Sequence, residues 1–284
     1  MTVSVMITTQ GRIVDLRRTF SVLQKLDPLP LEVLITMDGC GTDVVRAAQA
    51  EFRQARLLVN QVRLGSVASR DRMIREARGN LVLALDDDSY PEERDCIDRI
   101  LPLFEQRPKL AVLHFPQRSD EYPETLTQTN FGSEFLTRSF ANSGAVLRRS
   151  VYFELPGFEP RFFHMYEEPD YGLQCIAAGY DVLFSPVATI RHHYSGQSRD
   201  EIRIHHRHAR NEFWSTLMRC PFPFAAAILA WRVFSQFRYA TERGWSWVIR
   251  EPLWWWQAMV GIPHCLRKRR PVSWTGYKHW LGLP

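Results

Sequence analysis

The 284-residue sequence lacks several features that would place it in a common protein class. Its five cysteines are widely scattered, which excludes a compact zinc-ligand motif or a small disulfide scaffold and is typical of a reducing compartment. A glycine-rich phosphate loop is also missing, since Gly39-Cys40-Gly41 has no third glycine and no Gly-Lys-Ser/Thr follows a predicted strand. We therefore expect neither a nicotinamide-dependent dehydrogenase nor a phosphate-loop ATPase.

Long apolar runs are scarce. The two longest uncharged stretches, 220–231 and 252–266, contain 12 and 15 residues, fewer than the about 20 that a membrane-spanning helix needs. The amino terminus enters the apolar run 3–7 without a basic leader or a cleavage site. On this pattern we do not expect secretion.

Charge and tryptophan are unevenly distributed along the chain. Residues 1–200 carry 23 basic and 27 acidic side chains, whereas residues 201–284 carry 13 basic and 4 acidic side chains and all nine tryptophans. The overall content, 45% hydrophobic and 24% charged, is ordinary for a globular protein and excludes a fibrous or disordered chain. The uneven distribution predicts two parts, 1–200 and 201–284.

The first 200 residues alternate between short apolar runs and segments with helical periodicity. The runs 3–8, 31–37, 57–60 and 81–85 predict strands. This alternation is typical of an α/β fold, in which helices cover both faces of a mostly parallel sheet. Ligands of such sheets bind at the carboxyl ends of the strands, where Thr9, Asp38 and Asp86 to Asp88 follow their apolar runs.

Three consecutive aspartates, Asp86, Asp87 and Asp88, follow the apolar run 81–85. Their carboxylates repel one another unless a hard cation such as Mg2+ or Mn2+ binds them, and these ions prefer oxygen ligands and substrate phosphates. In the alternative interpretation the triplet is a solvated acidic turn that precedes a helix with Glu92 and Glu93 near its amino end. The position at a strand end favours the metal site.

Two further motifs contain groups suited to proton transfer or metal binding. Pro169 is typical of a first helical position, so Glu168 is predicted to cap that helix, whose dipole would keep a carboxylate ionised and able to accept a proton. Glu168 and Asp170 also suit a helix amino terminus that has no catalytic role. His192 and His193 follow another strand-like segment and are candidate metal ligands, although a single histidine is most often structural.

The order of these motifs resembles that of the family 2 glycosyltransferases over about residues 3–215. The similar segments are 5–12 (the family's opening strand and turn), 31–40 (its Asp-Asp-Gly-Ser strand), 63–71 (its Asn-x-Gly and Ala-Arg-Asn segment), 86–88 (its Asp-x-Asp metal motif), 155–170 (its Gly-Gly-Phe-Asp and Glu-Asp-x-Asp motifs) and 188–192 (its histidine strand). The resemblance implies a GT-A fold, a Rossmann-like mixed, mostly parallel sheet with flanking helices. It also implies transfer of a sugar from a nucleotide donor with inversion.

The resemblance further implies a role for each candidate residue. Glu168 takes the position of the catalytic base, with Asp170 as the alternative, and Mg2+ or Mn2+ is expected on Asp86, Asp88 and His192. The implied donor-binding residues are Thr8, Thr9, Arg12, Asp38, Arg70, Asp86 and Asp87. The expected donor is a UDP-, dTDP- or GDP-sugar, and the expected acceptor is a hydroxyl of a glycan or lipid-linked glycan.

Three departures from the nucleotide-contacting motifs leave a second function class open. They are Gln10-Gly11, Met37 and Asp71, which replace residues common in the family. A non-catalytic binding or scaffold protein with the same fold is therefore the alternative.

The segment 201–284 combines tryptophans with basic clusters, as in 254–256 and 267–270. Indoles favour the headgroup layer and basic clusters attract anionic lipid, so we expect a helical segment on an anionic membrane surface. This predicts a cytoplasmic protein, peripheral at the inner face of the cell membrane. In the alternative interpretation the segment is a tryptophan-rich helical subdomain packed on the sheet. We expect no nucleic-acid partner, because the acidic first part would repel a polyanion.

Overall fold

The computed structural model describes residues 1–193 and 200–284, and its centre is a sheet of eight strands. The strands are β1 (Val3–Thr9), β2 (Glu32–Asp38), β3 (Arg56–Asn60), β4 (Leu81–Asp86), β5 (Ser89–Pro91), β6 (Leu110–His114), β7 (Gln117–Ser119), β8 (Phe135–Leu136), β9 (Ala145–Arg148), β10 (Asp181–Phe184) and β11 (Ile190–His192). The helices are α1 (Ile13–Leu23), α2 (Thr42–Glu51), α3 (Ser66–Glu76), α4 (Cys96–Gln106), α5 (Arg149–Glu154), α6 (Glu167–Ala177), α7 (Glu201–Arg219), α8 (Phe224–Arg243), α9 (Trp245–Val248), α10 (Glu251–Arg267) and α11 (Trp274–Gly282). The four strands predicted from the apolar runs are confirmed.

The large sheet has the strand order β3-β2-β1-β4-β9-β6-β10-β8. Strands β3, β2, β1 and β4 are mutually parallel, whereas β9 is antiparallel to both of its neighbours. Alternate residues of each strand face opposite sides because a strand has a period of two. In β4, Leu81, Leu83 and Leu85 pack with α1 and α4, and Val82 and Ala84 pack with α3 and α6. The predicted α/β architecture with two covered faces is confirmed.

A second sheet of three strands, β5-β11-β7, lies just beyond the acidic triplet. Strand β5 begins at Ser89, directly after Asp88, and it pairs with β11 so that Ser89 stands opposite His192. This register brings His192 beside the triplet although the two are about a hundred positions apart in sequence. Tyr194 and Ser195, which follow the histidine pair, lie outside the described residues.

The start of α6 differs from the sequence prediction. The helix begins at Glu167, and the residue in the N-cap position is Tyr166, with a left-handed φ of 71°. Glu168 is therefore inside the first turn and is not the cap. Pro169 is tolerated there because the N–H groups of the first helical turn have no partner within the helix.

Helices α7, α8, α10 and α11 pack on the sheet and share its core. One hydrophobic cluster joins Tyr171 of α6 with Trp214 of α7 and with Tyr277 and Trp280 of α11. The Trp280 indole also donates a hydrogen bond to the carbonyl of Arg138, at 2.9 Å. The helical character predicted for this part is confirmed, and the domain boundary at residue 200 stays a prediction.

The segment that runs from the end of α9 into α10 exposes a row of apolar side chains. Ile249, Leu253, Trp256 and Val260 follow one another at helical spacing and are each between 58% and 72% exposed. We call these four residues the apolar stripe. Of the helices in the described ranges, 1–193 and 200–284, none combines the length and the apolarity required to traverse a bilayer.

Candidate active site

A pocket of about 580 Å³ opens at the carboxyl ends of β1, β2 and β4. It is lined by all seven of the predicted donor-binding residues, namely Thr8, Thr9, Arg12, Asp38, Arg70, Asp86 and Asp87. They converge because the parallel strands end at the same edge of the sheet. The pocket is also lined by Arg63, Phe163 and His164, which the sequence analysis did not assign to the site.

The acidic triplet is held in place by Arg12 and Thr9. The Arg12 guanidinium forms ion pairs with both Asp87 and Asp88, and Nη1 lies 2.7 Å from Asp88 Oδ2. The Thr9 hydroxyl donates to Asp87 Oδ2 at 2.6 Å. Burial raises the pKa of Asp87 to about 7, although Arg12 and Thr9 oppose the rise. Thr9 and Arg12 thus fix the orientation of the Asp87 carboxylate. Asp86 and Asp88 instead each have a carboxylate oxygen near the His192 ring.

Asp86, Asp88 and His192 form a group that fits a divalent cation. Each offers one ligand atom, and these atoms lie within 4.8 Å of one another. The buried Oδ1 of Asp88 has no hydrogen-bond partner of good geometry in the described residues, and His192 Nε2 lies 3.4 Å from it. Burial would raise the pKa of Asp88, but His192 and Arg12 together lower it, which keeps the carboxylate charged. Two carboxylates and an imidazole suit Mg2+ or Mn2+.

His192 is oriented for this role by a neighbouring amide. Its Nδ1 lies 3.2 Å from Oε1 of Gln117, and Gln117 Nε2 in turn donates to Ser143 at 2.7 Å. Because an amide oxygen only accepts, this contact places a ring proton on Nδ1 and turns Nε2 toward Asp88, with which it can share a proton or a cation. His193 differs, since its Nε2 contacts the Tyr90 hydroxyl at 2.9 Å.

A buried arginine connects the acidic triplet to helix α6. Arg70 Nη2 donates to Asp86 at 2.6 Å, and its Nη1 donates to Glu167 Oε1 at 2.8 Å. Asn142 Nδ2 also lies 3.4 Å from that oxygen, while Glu167 Oε2 is buried without a hydrogen-bond partner in the described residues. Glu167 therefore serves as the charge that anchors Arg70.

Glu168 lies next to this ion pair and is half-buried. Burial and the adjacent Glu167 carboxylate raise the pKa of Glu168 to about 8, while Arg70 opposes the rise. A carboxylate with a pKa near the working pH is well suited to accept a proton. Glu168 is thus partly buried beside the like charge of Glu167, and Arg70 links this part of α6 to Asp86. Such surroundings are typical of a carboxylate that acts as a general base.

Asp170, the alternative base, lies elsewhere. It is buried between α6 and α7, where it accepts hydrogen bonds from Ser215 and Gln174, each at 2.7 Å. Arg219 also pairs with it at 3.2 Å. The structure does not bring Asp170 to the pocket, and its polar partners indicate a role in fixing α7 to α6.

Asp38 is buried at the edge of the pocket and orders the turn before α3. Its carboxylate accepts from the backbone N–H groups of Leu64 and Gly65 and from Asn60 Nδ2, each at 2.9 Å. Gly65 has a φ of 90°, and a Cβ there would lie 2.1 Å from the carbonyl oxygen of Phe163. Asp38 thus holds two walls of the pocket together.

The loop that precedes α6 has a strained backbone, and a side chain of α7 holds it in place. Phe163, Met165 and Tyr166 all have left-handed φ angles between 66° and 75°, which non-glycine residues rarely adopt. Asn211 of α7 is fully buried, and its Nδ2 donates to the carbonyls of Phe162, His164 and Met165 at 2.8 to 3.1 Å. The sequence gives no local signal for this contact, because the partners lie more than 45 positions apart.

Comparison with known proteins identifies a family that this chain matches. The family model described as "Glycosyl transferase family 2" matches residues 4–171. The chain is also 25% identical over 202 residues to the O-antigen chain rhamnosyltransferase WbaN of Salmonella anatum. That alignment covers 65% of this chain and 63% of the relative, so the chain spans less than two thirds of the relative's length.

Three solved structures have a similar fold at low sequence identity. GalNAc-T7, solved with UDP, GalNAc and Mn2+, has a TM-score of 0.64 at 13% identity over 78% of this chain and 48% of that chain. The Pyrobaculum calidifontis mannosyltransferase PcManGT, in complex with GDP-Man and Mn2+, has a TM-score of 0.56 at 16% identity. The similarity covers 92% of this chain and 86% of that chain. Residues 1–349 of TarS from S. aureus have a TM-score of 0.52 at 14% identity, over 76% of this chain and 66% of that chain.

The sequence match and the architecture agree. The family match covers more than half of the chain and includes β1, the acidic triplet and the first turn of α6. The structural neighbours share the mixed α/β sheet with flanking helices. The protein therefore belongs to glycosyl transferase family 2 and has a GT-A fold.

Proposed function

We propose that the protein transfers a sugar from a nucleoside-diphosphate donor to a glycan hydroxyl with inversion and requires a divalent cation. The observation that carries the proposal is the chain of contacts from His192 and Asp88, through Asp86 and Arg70, to the first turn of α6. A group that could hold a cation and a carboxylate of raised pKa lie at one edge of the sheet, which supports the proposal. An alternative role as a non-catalytic scaffold would not need either group.

The diphosphate end of the donor is assigned to the acidic edge of the pocket. Asp86, Asp88 and His192 would hold the cation, which when bound supplies positive charge to the departing diphosphate. Arg12 and Arg63 line the same pocket and offer guanidinium groups to phosphate oxygens. The Gln117 amide keeps the His192 ring in the orientation that presents Nε2.

The proton of the acceptor hydroxyl is assigned to Glu168. As the hydroxyl oxygen bonds to the anomeric carbon, the bond from that carbon to the diphosphate oxygen breaks and the nucleoside diphosphate leaves. Glu168 takes the hydroxyl proton during this single displacement, which inverts the anomeric configuration. The raised pKa makes Glu168 a stronger base than an ordinary glutamate, at the cost of a smaller ionised fraction at neutral pH.

The relatives guide the choice of substrates. The Salmonella relative carries the name of an O-antigen chain rhamnosyltransferase, and two similar structures contain UDP or GDP-Man together with Mn2+. We propose that the donor carries a hexose or deoxyhexose on UDP, dTDP or GDP. The proposed acceptor is a growing surface polysaccharide, free or linked to a lipid.

We further propose that the protein works at the inner face of the cell membrane as a peripheral protein. The apolar stripe is unusually exposed, and Arg243, Arg250 and the basic cluster 267–270 lie on the same helical segment. Apolar side chains beside basic ones are the pattern of a helix that lies in the headgroup layer of an anionic bilayer.

Cation-dependent nucleotide binding tests the catalytic proposal. UDP, dTDP and GDP are titrated into the protein by calorimetry with Mn2+ and, in parallel, with EDTA. We expect one of the three to bind tightly with Mn2+ and much more weakly with EDTA, and transfer from the corresponding nucleotide sugar to stop when EDTA is added.

Two variants locate the effect. Asp88→Asn should remove the Mn2+ dependence, because it replaces a charged ligand by a neutral amide. Asp43→Asn removes a carboxylate that is 93% exposed on α2 and should behave as the wild type. Binding of none of the three nucleotides, or full transfer in EDTA, contradicts the proposal.

A further inference from the structure

A second cavity of about 700 Å³ adjoins the donor pocket. Phe163 lines both cavities, and its ring carries Arg63 on the donor side at 5.5 Å and Arg207 on the other at 4.8 Å. Helices α7 and α10 supply most of the remaining wall. The cavity therefore lies between the strained loop that leads to Glu168 and the helical segment after residue 200.

Five arginines line this cavity: Arg161, Arg203, Arg207, Arg210 and Arg250. None of them forms an ion pair with a carboxylate in the part of the chain that the structure describes, whereas the buried Arg70 and Arg219 both do. Asp200 is the one acidic residue among the described lining residues, and it accepts a hydrogen bond from the Arg203 backbone N–H at the start of α7.

The positive charge in the cavity is only partly balanced. Burial and the neighbouring Arg203 and Arg63 lower the pKa of Arg207, although Asp200 opposes this. Burial and Arg207 lower the pKa of Arg210 to about 10. Arginines that repel one another in a partly buried cavity are stabilised by an anion, and planar guanidinium groups hold phosphate oxygens in pairs.

The far side of the cavity meets the apolar stripe. Arg250 and Leu253 line the cavity, and Leu253 is also the second member of the stripe. A ligand with an anionic head and a hydrocarbon chain would thus find guanidinium groups and exposed apolar side chains side by side. The donor pocket lies on the opposite side, beyond Phe163.

We propose that this cavity binds the diphosphate of a lipid-diphosphate-linked acceptor, whose hydrocarbon chain follows the apolar stripe. This inference rests on the proposed function, because it names the acceptor of the same transfer. The donor diphosphate is a less suitable occupant. It travels with a cation, and apart from Asp200 the described lining residues offer no carboxylate to hold one.

Binding of a soluble lipid diphosphate to the full chain tests the inference. Farnesyl diphosphate, farnesol and inorganic pyrophosphate are titrated separately with EDTA present, so that the cation site does not contribute. We expect farnesyl diphosphate to bind at least about tenfold more tightly than farnesol, since charge-assisted hydrogen bonds are lost with the diphosphate. Equal binding of farnesyl diphosphate and farnesol overturns the inference.

A double variant locates the binding. Arg203→Gln/Arg207→Gln should weaken the binding of farnesyl diphosphate at least about tenfold, since it removes two guanidinium groups from the cavity. Arg238→Gln is the matched control, because Arg238 is 67% exposed on α8 and is not among the residues that line the cavity. Unchanged binding in the double variant overturns the inference. Retained nucleotide binding with Mn2+ shows that the double variant is folded.

Two further results separate the possible failures. The double variant could lose binding to phosphatidylglycerol vesicles while it still binds farnesyl diphosphate. In that case the arginines bind a phospholipid headgroup and the inference is overturned. If the wild type binds a nucleotide with Mn2+ but not farnesyl diphosphate, only the acceptor site is refuted. Farnesyl diphosphate binding without any nucleotide binding supports the anion site and refutes the proposed transfer.

Discussion

Arg70 and Glu167 form a buried ion pair, with Nη1 2.8 Å from Oε1, at the point where α3 meets the first turn of α6. The other terminal nitrogen of Arg70 donates to Asp86, so one guanidinium joins the end of β4 to the helix that carries Glu168. The neighbouring Glu167 carboxylate also helps to raise the pKa of Glu168. The two adjacent glutamates therefore have different tasks, one as an anchor and the other as a proton acceptor.

Replacing the proposed base tests this division directly. Glu168→Gln keeps the size of the side chain but cannot take the acceptor proton, so we expect kcat to fall about 10²- to 10⁴-fold. Mn2+-dependent nucleotide binding should survive, because Glu168 is not among the residues that line the donor pocket. Near-normal turnover in this variant would exclude Glu168 as the base.

Asp170→Asn provides the contrasting variant. It leaves the buried Arg219 without its partner charge, which we expect to cost about 3 kcal/mol of unfolding free energy, measured in urea. Turnover per folded molecule should stay close to that of the wild type, because the carboxylate lies between α6 and α7. Loss of turnover without loss of stability would instead identify Asp170 as the base.

The raised pKa of Glu168 predicts the pH dependence of the reaction. A base must be deprotonated to act, so kcat/KM should rise with pH and level off above about 8. Glu167→Gln removes the neighbouring negative charge and should move this rise to lower pH. Glu105→Gln removes an exposed charge on α4 and should leave the profile unchanged. A profile that is flat down to pH 5 would contradict the assignment.

The strained loop gives a prediction for Asn211. Asn211→Leu removes the hydrogen bonds to three loop carbonyls while keeping a similar volume. We expect kcat to fall about 10- to 100-fold, because the loop sets the position of Glu168 and small misplacements of a catalytic group are costly. Nucleotide affinity should fall too, since Phe163 and His164 line the donor pocket.

Two controls make this result interpretable. Thr241→Val removes an exposed local hydrogen bond on α8 and should change neither quantity. Circular dichroism shows whether the Asn211→Leu chain keeps its helices. A folded Asn211→Leu variant with wild-type kcat would mean that the loop holds its conformation without α7.

The sequence predicts the strand ends better than the contacts between them. Apolar runs and polar strand ends are local signals, so the positions of Thr9, Asp38 and Asp86 follow from the pattern alone. No local pattern places His192 beside the triplet, because that position depends on the pairing of β11 with β5; in the sequence only the family resemblance implied it. Likewise, no local pattern shows that Asn211 contacts the loop before α6, because such partners are joined only by tertiary packing.

Two departures from the family motifs are explained by packing. Met37 points into the hydrophobic core under β2 and is fully buried. Asp71 accepts a hydrogen bond from the Tyr152 hydroxyl at 2.8 Å and pairs with Arg75, which ties α3 to α5. Neither side chain lines the donor pocket. These substitutions therefore weaken the sequence argument for a non-catalytic scaffold.

Association with vesicles tests the role of the apolar stripe. The wild type should sediment with phosphatidylglycerol vesicles at low salt, and raising the salt to about 0.5 M should weaken binding because it screens the basic residues. Leu253→Ser/Trp256→Ser should weaken it at least about tenfold, since burial of each apolar side chain contributes about 1.5 to 3 kcal/mol. Both side chains are exposed, so the fold should be retained.

The matched control removes exposed apolar groups from a turn outside the helices that carry the stripe. Leu29 and Leu31 are 63% and 53% exposed in the turn before β2, and Leu29→Ser/Leu31→Ser should sediment like the wild type. Equal losses in the two double variants would mean that general hydrophobicity, rather than the stripe, drives the association. A wild-type protein that stays in the supernatant at low salt would contradict the membrane proposal, because neither the stripe nor the basic clusters would then bind the bilayer they are suited to.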